Sequence, residues 1–184
     1  MKIVETRLPG VLIFEPQVFG DARGFFVETF REEWLQQAGV AVKFIQDNQS
    51  RSRRGVLRGL HYQLQQTQCK LVRCSRGAVY DVVLDVRRGS PSFGQWVGLM
   101  LDDVFHRQLL VPRGFAHGFC VVSDEADFSY KVSDYWHPAS ETGVLWNDPD
   151  LGIEWPSLGT ECKLSPKDSQ LPRLRDQQQL TAYP

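Results

Sequence analysis

Two of the four histidines, His61 and His117, could act as general bases. His61 lies in the segment RGLHYQ, just before a strand-like run, and His117 lies in the segment VPRGFAHGF, shortly after a Pro-x-Gly turn. Neutral imidazole is the natural base near pH 7, although a single histidine on a strand is more often a structural residue. Two histidines on inward-facing strands favour a functional site.

The same two histidines raise the alternative of a metal site. The turn before His117 resembles the second half of the metal-cupin pattern, whose first half is His-x-His followed by a Glu. Here the first half is His61-Tyr62-Gln63, and no Glu occurs between Leu64 and Lys70. Two histidines without a carboxylate make a weak metal site, so we expect no metal.

A cluster of arginines precedes His61 and suits a phosphorylated ligand. It comprises Arg51, Arg53, Arg54 and Arg58. Arginine binds phosphate through two parallel hydrogen bonds, although such a run is also typical of a solvated loop. The formal net charge is only -1, so we expect a small phosphorylated ligand and no nucleic acid.

A second arginine segment lies near the N-terminus. Arg23 is followed by Gly24, Phe25 and Phe26, which pairs a guanidinium with stacking aromatic rings. This suits a nucleotide base, and it is equally consistent with an edge strand that contributes two phenylalanines to the core.

Short β-rich runs separated by turn residues dominate the rest of the chain and predict an antiparallel sandwich, jelly roll or barrel. The runs are Val11–Glu15, Cys69–Ser75, Ala78–Val86, Gln95–Leu101, Arg107–Val111, Ala116–Val122 and Ala126–Ser133. The best helix candidate is Phe30–Ala38, where Thr29 and Glu32 have the spacing of a capping box and Gly39 follows as a stop.

Strand parity predicts which polar residues face the interior. Because side chains alternate along a strand, Asp81 points with Val79 and Val83, His117 with Phe119, and Tyr130 with Phe128. Several polar groups together in a barrel interior indicate a pocket.

Length and composition favour one soluble domain over residues 1–184. Of the 184 residues, 42% are apolar and 23% are charged, which is ordinary for a globular protein. No apolar run reaches the length of a membrane span, and the N-terminus lacks the apolar core of a signal peptide, so we expect a cytoplasmic protein. The four cysteines are expected to be small buried residues.

Eight segments in order along the chain carry a resemblance to a known family. They are Asp21–Phe30 (DARGFFVETF), Phe44–Ser50 (FIQDNQS), Val56–Gln63 (VLRGLHYQ), Ser90–Gly98 (SPSFGQWVG), Val111–Phe119 (VPRGFAHGF), Phe128–Lys131 (FSYK), Trp146–Trp155 (WNDPDLGIEW) and Leu164–Asp168 (LSPKD). With them the sequence resembles the dTDP-4-dehydrorhamnose 3,5-epimerases, metal-free cupins of dTDP-sugar biosynthesis.

The resemblance implies an all-β cupin jelly roll with a few short peripheral helices. The barrel core would span residues 45–145, with N-terminal strands and C-terminal loops packed on it. It also implies a cofactor-independent isomerase that epimerises dTDP-4-dehydro-6-deoxy-D-glucose at C3 and C5 through an enolate. The family's homodimer, in which N-terminal strands are exchanged, is the expected assembly.

The resemblance further implies roles for four catalytic residues. His61 matches the base, Asp168 the carboxylate that pairs with it, and Tyr130 the proton donor. Lys70 matches the lysine near the C4 oxygen, where its ammonium group stabilises developing negative charge.

Other residues match positions that bind the substrate or support the site. His117 resembles the second pocket histidine, with Asp81 as its partner. The positions that contact the dTDP-sugar are Arg23, Glu28, Gln46, Asn48, Arg58, Glu141 and Lys167.

One departure from the family leaves alternatives open. The family often has Tyr-Tyr where this chain has Tyr135-Trp136, so Trp136 would keep a flat pocket wall and replace a hydroxyl with an indole N–H. A dTDP-sugar 3-epimerase or 3,4-ketoisomerase on the same scaffold is one alternative. Independently of Trp136, a non-catalytic jelly-roll binder of nucleotide sugars is an alternative from another class of function.

Overall fold

The computed structural model describes residues 1–183, and within them the chain is built almost entirely from β-strands. The strands are β1 (Lys2–Glu5), β2 (Leu12–Glu15), β3 (Val18–Asp21), β4 (Gly24–Val27), β5 (Gln46–Arg53), β6 (Leu57–Gln63), β7 (Lys70–Arg76), β8 (Ala78–Asp85), β9 (Arg87–Arg88), β10 (Trp96–Asp102), β11 (Gln108–Val111), β12 (Phe115–Val121), β13 (Glu125–Val132), β14 (Glu141–Gly143) and β15 (Thr181–Ala182). The helical elements are α1 (Glu32–Gln37) and 3-10 turns at Pro138–Ser140, Asp168–Gln170 and Leu174–Asp176.

Two antiparallel sheets pack face to face and form a jelly roll. The larger sheet has the strand order β1-β2-β11-β7-β13-β5, and the smaller has the order β10-β8-β12-β6-β14. Val72 and Phe128 of the larger sheet meet Val83 and Phe119 of the smaller sheet in one buried cluster. The predicted all-β jelly-roll fold is therefore confirmed.

Strand β8 is buried on both faces, which explains its nearly continuous apolar sequence. Asp81 and Val83 point into the space between the sheets, as their parity predicts, and both are fully buried. Val82 and Leu84 point the other way, where Trp155 and other residues of the C-terminal segment cover them.

The helix is shorter than the sequence predicts, and the predicted capping box does not form. Helix α1 begins at Glu32, and Arg31 is its N-cap residue without a side-chain hydrogen bond. The carbonyl of Thr29 instead accepts a hydrogen bond of 2.7 Å from the side chain of Gln108. The apolar face is nevertheless as expected, because Trp34 and Leu35 are buried.

Strands β5 and β6 were not predicted, and they matter most for the site. Along β5, exposed residues alternate with half-buried or buried ones, but all are polar, so the sequence QDNQSRSR has no apolar face to indicate a strand. His61 lies inside β6 rather than before a strand. The arginines at 51 and 53 are therefore strand residues, not members of a loop.

The β3–β4 hairpin forms a two-stranded sheet of its own. Its strands pair with each other, and the side chains of Phe25 and Phe26 are 61% and 67% exposed. The interpretation of these two residues as core phenylalanines is therefore wrong.

In residues 1–183, no helix is long and apolar enough to cross a membrane.

Candidate active site

A cavity of about 640 Å³ lies between the two sheets and collects most of the predicted site residues. These residues are Gln46, Asn48, Arg58, His61, Lys70, His117, Tyr130, Trp136, Glu141, Lys167 and Asp168. They come from distant parts of the sequence, so the fold, and not local spacing, brings them together.

His61 is held by a buried aspartate. Its Nε2 lies 2.6 Å from Oδ1 of Asp168, whose side chain is 5% exposed, whereas the His61 side chain is 25% exposed. Burial raises the pKa of Asp168, but hydrogen bonds with His61 and Ser165 outweigh it and leave that pKa below its ordinary value. The ionised carboxylate therefore fixes the ring orientation and stabilises an imidazolium.

A second histidine–aspartate pair lies deeper in the same wall. Nε2 of His117 lies 3.0 and 2.9 Å from the two carboxylate oxygens of Asp81, and both residues are buried. The ring of Phe128 stacks against His117 at a centroid distance of 6.0 Å. Asp81 does not line the cavity and acts on it only through His117.

The backbone at Gly59 explains why β6 and β12 can approach so closely here. Gly59 has a φ of +126°, and a Cβ atom at this position would lie 2.5 Å from Cα of Gly118. The pairing of β12 with β6 shifts register between His117 and Phe119. This irregularity places His117 directly opposite His61 on the neighbouring strand.

Tyr130 and Lys70 belong to the opposite sheet. Tyr130 lies on β13 between Asn48 of β5 and Val72 of β7, and Lys70 begins β7. Burial raises the pKa of Tyr130, so its hydroxyl keeps the proton at neutral pH. Burial also lowers the pKa of Lys70 to about 8, although Glu141 and Asp81 oppose this shift.

Polar side chains on β5 and β6 line the same cavity. Nε and Nη2 of Arg58 donate to Oγ of Ser52 at 3.2 and 3.1 Å, which holds the guanidinium at the cavity wall. Nε2 of Gln46 donates to Oδ1 of Asn48 at 2.9 Å. These groups offer a cation and amides to a polar ligand.

The rest of the lining comes from the β14 region and the C-terminal segment. The ammonium group of Lys167 contacts the carboxylate of Glu141. Trp136 also lines the cavity, yet 58% of it is exposed. The indole is thus available to a ligand as a flat wall.

Two predicted ligand contacts lie outside the cavity of this chain. Arg23 pairs with Asp21 on the exposed β3–β4 hairpin, and its side chain is 90% exposed. Glu28 pairs with Arg31 at 2.8 Å. Neither residue is among those that line the cavity.

The structure adds cavity residues that the sequence did not single out, including Gln68, Lys163 and Ser165. Oγ of Ser165 accepts a hydrogen bond of 3.1 Å from the backbone N–H of Asp168. The Ser-x-x-Asp spacing was a signal for this turn. Lys163 bonds through its backbone to Gly55 and Leu57, which seats the segment carrying Asp168 against β6.

The four cysteines were expected to be buried, and three of them are. Cys69, Cys74 and Cys120 are buried, Cys162 is half-buried, and all four are free thiols. Over residues 1–183, no group of three or more His, Cys, Asp or Glu side chains is arranged to hold a metal ion.

Comparison with known proteins identifies the family. The family model described as dTDP-4-dehydrorhamnose 3,5-epimerase matches residues 5–176. The chain belongs to this family. The dTDP-4-dehydrorhamnose 3,5-epimerase of Pseudomonas aeruginosa is 54% identical over 171 residues, covering 92% of this chain and 94% of that protein.

A solved structure and a more distant relative extend the comparison within the epimerase family. The Legionella pneumophila 3,5-epimerase in complex with dTDP-4-keto-L-rhamnose matches with a TM-score of 0.95 and 49% identity, covering 100% of this chain and 98% of the other. The dTDP-4-dehydrorhamnose 3-epimerase of Streptomyces niveus is 41% identical over 188 residues, covering 100% of this chain and 90% of that protein. The resemblance that the sequence motifs carry is confirmed.

Proposed function

We propose that this chain epimerises dTDP-4-dehydro-6-deoxy-D-glucose at C3 and C5 and produces dTDP-4-dehydro-L-rhamnose, with no cofactor. The observation that carries this proposal is the placement of His61 and Tyr130 on different sheets across one cavity. A sugar ring between them has a base at one face and an acid at the other. Inversion at a carbon needs this arrangement, because the proton must return to the opposite face.

The first step is removal of a proton next to the ketone. The C4 carbonyl acidifies the hydrogens on C3 and C5, and His61 takes one of them. Because Nε2 of His61 is engaged by Asp168, Nδ1 is the nitrogen that accepts the proton. The ionised Asp168 then stabilises the imidazolium.

The electron pair from the broken C–H bond moves to the C4 oxygen and forms an enolate. Lys70 lines the same cavity, and its ammonium group would stabilise this charge. Tyr130 then donates its hydroxyl proton to the carbon from the opposite face, and the ketone is restored. Proton exchange with water resets both groups, and the same cycle inverts the second carbon.

The remaining polar residues of the cavity would bind the nucleotide part and orient the sugar. Arg58 and Lys167 supply positive charge for the diphosphate. Gln46, Asn48 and Glu141 offer hydrogen bonds to the hydroxyls of the sugar and to the amide groups of the base. His117 and Trp136 would form walls of the sugar subsite, and Asp81 would hold the His117 ring.

We further propose a homodimer in which the β3–β4 hairpin reaches the cavity of the partner subunit. The hairpin exposes Phe19, Phe25 and Phe26 beside Arg23, which is more apolar surface than a free hairpin tolerates well. Arg23 and Glu28 would then contact the nucleotide in the partner's cavity.

Mixing of variants tests this assembly. An R23A subunit paired with an H61A subunit forms one intact site if the hairpin acts on its partner, so the mixture regains activity that neither variant has alone. A mixture as inactive as its components would contradict the exchange. The activity of each variant alone, measured at the same total protein concentration, sets the baseline.

A 3-epimerase is the second candidate, favoured by Trp136 and by the similarity to the Streptomyces niveus enzyme. The deciding experiment is incubation with dTDP-4-dehydro-6-deoxy-D-glucose followed by proton NMR of the product. Inversion at both carbons supports the 3,5-epimerase, and inversion at C3 alone supports the 3-epimerase. A 3-keto product identifies a ketoisomerase, and binding without reaction identifies a binder. A cytoplasmic location stays a prediction.

A further inference from the structure

Gln63 occupies the position at which the metal-cupin pattern has its second histidine, and the structure gives its side chain a different contact set. We propose that Gln63 is a positioning residue that joins two loops at the cavity rim and thereby fixes Trp136 against the substrate. The part that concerns substrate rests on the proposed function. The part that concerns the position of Trp136 does not.

Gln63 uses both ends of its amide to connect the loop after β6 with the loop after β13. It is 5% exposed and ends strand β6. Its Nε2 donates to the carbonyls of Gln66 and Tyr135 at 2.9 and 3.3 Å. Its Oε1 accepts the backbone N–H of His137 at 3.0 Å. The two bonds to the second loop bracket Trp136 in sequence.

Further hydrogen bonds join the same two loops along their length. The side chain of Gln68 donates to the carbonyl of Asp134 at 2.9 Å. The side chain of Ser140 donates to the carbonyl of Gln65 at 3.2 Å. Cys69 N–H donates to Oγ of Ser133 at 2.9 Å. The loops are therefore cross-linked at several points and form one unit, with Gln63 at its buried base.

Trp136 depends on these bonds because it has little packing of its own. Tyr135 and Trp136 are 59% and 58% exposed, so the hydrophobic core does not hold this part of the loop. When the tip of a loop is exposed and only its base is held by hydrogen bonds, those hydrogen bonds determine where the tip lies. Removal of the Gln63 amide leaves the Tyr135 carbonyl and the His137 N–H without their partner on both sides of Trp136.

The proposal predicts a selective loss of sugar recognition. In Q63A, KM for the sugar nucleotide should rise about tenfold, since a displaced aromatic wall no longer contacts the sugar. The inhibition constant of dTDP, which lacks the sugar, should stay within about twofold of wild type. A merely structural role for Gln63 would weaken both ligands together.

The position of Trp136 can be measured by ¹⁹F NMR of protein labelled with 5-fluorotryptophan and free of ligand. The chain has five tryptophans, and loss of one resonance in W136F assigns Trp136. In Q63A we expect the Trp136 resonance to move toward its position in the urea-unfolded protein while the other four hold. If Q63A does not fold, Q63E serves instead, because it keeps the acceptor for His137 and loses both donors.

Gln177 provides the matched control. It is also buried, and its amide also makes three hydrogen bonds, to Thr142, Gly143 and Gln179. Q177A should lose stability without moving the Trp136 resonance. An unmoved resonance in Q63A, or equal weakening of dTDP and the sugar nucleotide, would overturn the proposal. A wild-type protein that binds but does not convert the substrate would overturn the proposed function alone, because the NMR test needs no turnover.

Discussion

His61 and His117 lie directly opposite one another on the antiparallel strands β6 and β12. Opposed residues on such strands point to the same face, so both imidazoles meet the cavity, and each has its own aspartate. Their burial separates their roles: the His61 side chain is 25% exposed and that of His117 only 8%. A substrate can reach His61 directly, whereas His117 is part of the wall.

The substitution His61→Ala should remove the base and leave the binding groups in place. We expect kcat to fall by about 10³-fold, within the range that a positioned general base contributes. Binding of dTDP, measured by titration calorimetry, should be unchanged, because Arg58 and Lys167 remain. Normal turnover in H61A would exclude His61 as the base.

Asp168→Asn tests the carboxylate that holds His61. The amide keeps the shape of the side chain but cannot stabilise an imidazolium, so we expect kcat to fall about 10²-fold. The circular dichroism spectrum should match wild type and thereby report an intact fold. A variant with wild-type kcat would show that the 2.6 Å contact has no part in catalysis.

Tyr130→Phe should separate proton removal from inversion. Without the phenol, His61 still forms the enolate but returns the proton to the face from which it came. In D2O we therefore expect deuterium to enter recovered substrate faster than product forms, with product formation lowered about 10²-fold. Equal loss of exchange and inversion would instead place Tyr130 on the proton-removal side.

The activity should fall as the pH rises through the pKa of Lys70. Burial lowers that pKa to about 8, so the stabilising ammonium is present below pH 8 and lost above it. The logarithm of kcat/KM, which reports the free enzyme, should then decline with unit slope above that pH. In K70R this decline should disappear, because arginine stays protonated. A decline unaltered in K70R would assign it to another group.

The sequence predicted several strands that have apolar faces and missed β5, which has none. The runs at β8, β12 and β13 agree with the structure within a residue or two because most of their inward residues are apolar. Strand β5 lies at the edge of its sheet, and its inward residues are polar because they line a cavity. Because these residues line a cavity and do not pack in the core, β5 lacks the alternation of apolar and polar residues by which a strand is recognised in a sequence.

The site was predictable in composition but not in geometry. The motifs indicated His61, Tyr130 and Asp168, yet only the structure shows that they come from two sheets and a C-terminal turn. The role of Gln68 had no sequence signal, because its place depends on how the β6–β7 loop folds over the cavity. The exposed position of Arg23 likewise follows from its place on a hairpin that pairs with neither of the two large sheets.

The proposed reaction inverts both carbons that flank a ketone, within one cavity. Its most direct test is incubation of the wild-type protein with dTDP-4-dehydro-6-deoxy-D-glucose in D2O, followed by proton NMR and mass spectrometry. We expect deuterium at both C3 and C5 in a product with the L-rhamno configuration. Deuterium at C3 alone, or no deuterium although the substrate binds, would show that the chain is not a 3,5-epimerase.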